Sequence, residues 1–223
     1  MIARELIDTA EVPGGDKLEL YRHGSDFMIV LDRNELMNTR MSGSEEALAT
    51  MSIDRIGNRQ NPHLLIGGYG MGFTLRAALG RLGNLARVTV AEIVPEIVEW
   101  ARGPMAALTG TCLDDTRVVL VEDDVSWLIG GAEEEYDAIL LDVDNGPDGL
   151  TRAGNDRLYA KKGLRAAHAA LRPGGVLAIW SAAPDAVFAN RLRGCGFAVD
   201  EVRVRARSNC KGAHHMIWFA TKR

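Results

Sequence analysis

Apolar and polar positions alternate over residues 17–21, the two-residue period of a β-strand, and residues 27–31 form an unbroken apolar run of strand length. Arg22-His23-Gly24-Ser25-Asp26 joins these runs as a turn, and Pro13-Gly14-Gly15-Asp16 marks another turn just upstream. The pattern predicts a small antiparallel β unit over residues 1–40. Ser42 and Glu45 then stand at capping-box spacing. They predict a helix that carries Ala47, Leu48 and Met51 inward and stops near Gly57.

From Pro62 onward the period changes. Short apolar runs at 64–66, 88–91, 118–121, 138–141 and 176–180 predict strands. Helices are predicted between them: one through Leu75, Ala78 and Leu79, one over 95–107 with Pro95 in its first turn, and one over 161–171. Arg172-Pro173-Gly174-Gly175 is expected to stop that last helix before its strand. Val202, Val204 and Ala206, followed by the run 215–220, predict an antiparallel pair that closes the sheet. Buried strands separated by helices imply a largely parallel sheet with right-handed crossovers. Residues 41–223 are therefore read as one α/β domain.

Composition narrows the class. The 223 residues are 47% hydrophobic and 25% charged, the balance of a soluble globular protein. No apolar run approaches the roughly 20 residues that span a bilayer. The first 20 residues mix charges with single apolar residues and do not read as a signal peptide. A net charge of −4 argues against an overall electrostatic footprint for nucleic acid. Arg203, Arg205 and Arg207 share one face of a strand, near Arg191 and Arg193, and such a face is read as solvated rather than as an RNA site. Cys112, Cys195 and Cys210 are odd in number and lack a Cys-x-x-Cys spacing, as expected of reduced thiols in a cytoplasmic protein. Cys210, His214 and His215 offer no fourth ligand at a supporting spacing, so no metal is expected.

Candidate chemistry lies in the loop after the first strand of the main domain. Gly68-x-Gly70-x-Gly72 lets a turn take positive φ and lets backbone N–H groups approach a ligand. The spacing is shorter than the dinucleotide fingerprint, because Phe73 follows, and this suits a ligand without a pyrophosphate. Glu92 ends the next strand 20 residues after Gly72, where a carboxylate accepts from both ribose hydroxyls. Asp123 and Asp124 close the third strand, either to meet an adenine amino group or to cap the following helix. Asp142, at the end of the fourth strand, is the best-placed base, and Asp144 is the second choice.

Three stretches in this order resemble successive motifs of spermidine synthases: residues 64–72, 88–95 (Val-Thr-Val-Ala-Glu-Ile-Val-Pro) and 136–142 (Tyr-Asp-Ala-Ile-Leu-Leu-Asp). Leu158-Tyr159 and the later run 171–177 extend the similarity over most of the chain. The resemblance implies a Rossmann-like class I methyltransferase sheet, an adenosyl-sulfonium cofactor and a homodimer. It also implies that Tyr159 could wall the acceptor pocket, and it puts Asn38 and Arg40 among cofactor- and substrate-facing residues.

The departures bear on the chemistry. Met71 stands where the resembling family has an aspartate for the cofactor's amine, and Asn145 replaces the second aspartate of its D-x-x-D-P motif. Leu48 and Thr50 replace the tyrosine and later glutamate of its acceptor stretch, which corresponds to residues 44–51. A diamine needs carboxylates at both ends to offset its lost hydration. With those acids missing, the expected function is an S-adenosylmethionine-dependent methyltransferase acting on a small molecule, built on this scaffold. Aminopropyl transfer from decarboxylated S-adenosylmethionine is the alternative, and a non-catalytic nucleoside-binding protein is a further one.

Overall fold

A computed structural model describes residues 4–143, 156–209 and 211–223. Two sheets carry the fold. The first has four antiparallel strands in the order β1 (Glu5–Glu11), β2 (Lys17–His23), β3 (Asp26–Leu31) and β4 (Asn34–Asn38). It contains the two predicted strands. The outer strands β1 and β4 were invisible to periodicity because they are mostly exposed and bury only Ala10 and Asn38.

Helix α1 (Gly43–Ile56) links this sheet to the second. Then follow β5 (His63–Gly67), α2 (Phe73–Leu79), β6 (Arg87–Ala91), α3 (Pro95–Arg102), α4 (Ala106–Thr109), β7 (Val118–Val121), α5 (Val125–Gly131) and β8 (Tyr136–Leu141). The chain closes with α6 (Asp156–Tyr159), α7 (Lys161–Ala170), β9 (Leu171–Ser181), α8 (Ala186–Gly194), β10 (Phe197–Arg205) and β11 (His214–Lys222). The seven strands run in the order β10-β11-β9-β8-β5-β6-β7. Strands β5 to β9 are mutually parallel, and β11 lies antiparallel to both β9 and β10. This is the expected α/β architecture, a mostly parallel sheet beside a small antiparallel one.

Three local expectations need correcting. Ser42 does not cap α1 through its side chain: at φ −89°, ψ −11° it is already near helical, and the capping box does not form. The predicted helix 95–107 is broken after Arg102, where Gly103 leaves helical geometry ahead of Pro104, whose ring disfavours helix in the residue before it. The segment 172–175 does not delay β9, which pairs with β8 from Leu171 onward and takes the bend as a bulge opposite residues 136–138.

A staple fixes the lower edge of the sheet. Asp137, 1% exposed, accepts the His63 backbone N–H at 2.8 Å and pairs with Arg172 at 2.8 Å and Arg59 at 3.3 Å. At the upper edge the chain turns from β5 to β6 on one side and reaches β8 on the other. The crevice between them is where open α/β sheets bind ligands.

Candidate active site

The carboxyl ends of β5, β6, β7 and β8 open onto one cavity of about 870 Å³. Backbone pairing continues past the strand ends and sets the position of each candidate. Gly68 N–H donates to Ala91 O at 2.9 Å, Glu92 N–H to Val121 O at 3.0 Å, and Asp142 N–H to Gly67 O at 3.1 Å. Gly68, Gly70, Glu92, Asp123, Asp124 and Asp142 all line this cavity, so the structure brings together most of the residues selected from sequence.

The glycine loop is constrained at each position. Gly68 has φ +83°, and an added Cβ would lie 2.8 Å from the Asp142 carbonyl oxygen. Gly70 has φ +54°, and its Cβ would press on Met37 Sδ at 3.0 Å. Gly72 is the left-handed residue that starts α2 and is not part of the cavity wall. Glu92 is 4% exposed. Its Oε2 accepts the Tyr69 N–H and its Oε1 the Val94 N–H, both at 2.9 Å. Burial pushes its pKa up, against the pull of those N–H groups. Glu92 therefore holds the glycine loop as well as facing the cavity, a double duty that spacing alone did not reveal. The Ile93 and Gly70 N–H groups also favour its charged form.

The acid pair after β7 divides its work. Asp124 caps α5 through the Ser126 N–H at 2.8 Å, the structural alternative considered for it, while Asp123 is exposed at the cavity rim. The remaining wall is apolar: Val12, Leu18, Ile29 and Leu31 from the N-terminal sheet face Ile93 and Val125.

Two proposed substrate residues lie elsewhere. Tyr159 is 2% exposed, packs edge-on against Phe188 at 5.7 Å, and is not among the cavity-lining residues. Arg40 is exposed and turned toward Asp26, 3.7 Å away, on the N-terminal sheet. Asp144 and Asn145 lie outside the described residues, as does Cys210.

The sequence reading missed Glu45. Instead of capping α1, this side chain lines two further cavities together with Asp142. One is small and bordered by Met71. The other, of about 810 Å³, runs past Met37 and Trp180 to His215. Burial and the negative charge of Asp142 push the Glu45 carboxyl up to about 8. The expectation that the site lacks acids is thereby corrected: α1 delivers one beside Asp142. Its signal was an acidic residue inside the stretch 44–51, where capping offered a competing explanation.

Residues 43–187 match the spermine/spermidine synthase domain. The polyamine aminopropyltransferase of Mycobacterium tuberculosis is 28% identical over 194 residues, covering 82% of this chain and 35% of that protein. That of Corynebacterium efficiens is 30% identical over 175 residues, covering 73% and 32%. The chain thus spans about a third of the length of the curated relatives it matches. The crystal structure of spermidine synthase from Thermotoga maritima superposes with a TM-score of 0.77 at 18% identity, covering 98% of this chain and 73% of that one. That likeness concerns the fold.

Proposed function

This chain belongs to the spermine/spermidine synthase family, and from that premise we propose that it transfers an aminopropyl group from decarboxylated S-adenosylmethionine to a small amine. The observation that carries the reading is the partly buried pair Glu45 and Asp142, which line the same cavities beside the cofactor cavity. Two carboxylates forced together in a dry site raise one another's proton affinity, and a bound cation relieves that repulsion. An alkylamine has a pKa of roughly 10 and arrives as a cation. The carboxylate of ordinary S-adenosylmethionine would add a further negative charge to the same place. This consideration replaces methyl transfer, the function expected when the acids seemed absent, with aminopropyl transfer.

The residues fit the adenosyl part of such a cofactor. Glu92 would accept the ribose hydroxyls, Asp123 the adenine amino group, and Ile93 and Val125 would cover the base. Glu45, which borders the small cavity beside Met71, would meet the cofactor's amine in place of the aspartate that Met71 replaces. When bound, the sulfonium supplies an electrophilic methylene carbon. The protein's part is position and proton removal: Asp142 and Glu45 take the proton that keeps the acceptor nitrogen from attacking.

Calorimetry and product mass test this together. The decarboxylated cofactor is expected to bind more tightly than S-adenosylmethionine, and an incubated amine is expected to gain an aminopropyl group. Tighter S-adenosylmethionine binding with a methylated product would overturn the reading. Glu92→Ala is expected to weaken both cofactors by about 1–3 kcal/mol, the cost of removing a buried hydrogen-bond partner.

A further inference from the structure

The cavity shared by Glu45 and Asp142 does not end at those carboxylates. Its other end is lined by Trp180 and His215, contributed by β9 and β11. Ser44 is wholly buried between the imidazole and the acid. Its Oγ lies 2.9 Å from His215 Nδ1 and 2.9 Å from Glu45 Oε2. An imidazole, a hydroxyl and a carboxylate thus stand in series. The adenosyl grip uses none of this arrangement.

A hydroxyl carries one proton and two lone pairs, so Ser44 can be polarised in either sense. With Glu45 ionised, Ser44 donates to Glu45 and accepts from Nδ1–H. With Glu45 protonated, Glu45 donates to Ser44, which donates to a bare Nδ1. Passing between the two moves one proton from one end to the other without moving a heavy atom.

We propose that Ser44 wires Glu45 to His215, and that His215 receives the proton shed by the acceptor ammonium. The proposal rests on the amine-acceptor reading above. The balance is simple. Binding of the cationic acceptor beside Asp142 favours the ionised form of Glu45, and R–NH3⁺ gives one proton to that carboxylate. Glu45 passes one on through Ser44, leaving R–NH2, an ionised Glu45 and an imidazolium at His215.

The surroundings suit this role. Burial holds His215 below the ordinary histidine range, so the ring is neutral at pH 7 and carries a lone pair able to take a proton. It is only half-buried and can release the proton to water. The groups facing it are Ser44 and Glu45 from α1, the Trp180 ring of β9 at 4.7 Å, Asp142 after β8, and Glu35 across the cavity. On β10 the register partner is apolar Val204, and the charges of Arg203 and Arg205 act on the neighbouring His214. Gly43 N–H donates to Ala206 O at 2.9 Å, tying the start of α1 to the hairpin that carries His215.

Two measurements decide it. The first follows the His215 ring by nitrogen NMR in the ligand-free protein. Glu45→Gln is expected to move the His215 titration, and to leave it unmoved when Ser44→Ala is already present. The same response in both backgrounds, or none in either, overturns the relay whatever reaction the protein performs. The second is the pH profile of turnover with 1,4-diaminobutane as probe. His215→Gln is expected to lower kcat roughly 100-fold near pH 7 with little change in the cofactor's KM. The gap should close toward about pH 10, where the free amine is abundant. Parallel profiles overturn the proposal. Absence of any aminopropyl product from the unaltered protein would instead count against the proposed function, and the NMR arm would still report on the relay.

Discussion

Glu45 is the residue on which the chemistry and the stability of this protein meet. Its carboxyl titrates near 4.5 when free and is pushed up to about 8 in the fold by burial and by Asp142. Between those values the folded state holds a proton that the unfolded state has released, so stability falls as pH rises from 4.5 to 8. Replacing Glu45 with glutamine removes the penalty. The variant is expected to match the parent near pH 4.5 and to melt at a higher temperature by pH 8. Each 1 kcal/mol gained appears as roughly 2–4 °C in a chain of this size. Turnover should drop by about 10²-fold in the same variant. Differential scanning calorimetry across that pH window checks the first effect, and a gain independent of pH would refute the assignment. The same residue shows the limit of reading sequence. Glu92 was legible because its spacing from the glycine loop and its strand-end position allow few other uses. Glu45 sat at a spacing that capping also explains, and His215 meets Ser44 across 171 positions of chain, which no local pattern records.

At the scale of elements, the site depends on two junctions. The first is the start of α1 against the 206–213 hairpin loop. A Cβ at Gly43 would fall on the backbone of Arg207 and Ser208, 2.5 Å from the Ser208 nitrogen. Gly43→Ala must push the hairpin away, at a cost of about 1–3 kcal/mol. It should also separate Ser44 from His215, so the urea midpoint and turnover are expected to fall together. The second junction is the Asp137 staple beneath the sheet. Asp137→Asn weakens its bonds to His63, Arg59 and Arg172 at once, for about 2–3 kcal/mol, read as a lower urea midpoint at unchanged slope. His63 adds a pH dependence of its own. Burial, with Arg87, holds its folded pKa below 6.5, so the folded state binds fewer protons than the unfolded one just below that value. Stability contributed there is present above pH 6.5 and is lost on acidification through the folded pKa. The parallel strands around the Asp137 staple were legible from their short apolar runs. The edges of the N-terminal sheet were not, because strands that bury one residue each leave no alternation to read.

At the scale of the whole molecule, the two sheets are not independent bodies. One hydrophobic cluster runs from Leu18, Leu20 and Ile29 of the N-terminal sheet through Leu64 and Val90 of the larger one to Trp100 on α3. Trp100 reaches across to Asp8, its Nε1–H donating at 2.8 Å. The division at residue 40 thus separates two sheets that share a core, and the cofactor cavity lies within that shared wall. Its roof is made by Val12, Leu18, Ile29 and Leu31, and its floor by the glycine loop and Glu92. A ligand in the cavity touches both sheets, so binding and the docking of the sheets are coupled. A thioether such as 5′-methylthioadenosine at 100 times its dissociation constant is expected to add about 2.7 kcal/mol. That corresponds to a melting-point rise of roughly 5–10 °C. Ile29→Ala, which opens the roof without touching the loop, Glu92 or Asp142, is expected to cost about 2–4 kcal/mol of stability. It should also remove much of the protection at the same ligand concentration. If the variant lost stability but kept the full ligand-induced rise, the N-terminal sheet would be only a support for the larger domain, and the cofactor would be gripped from below alone.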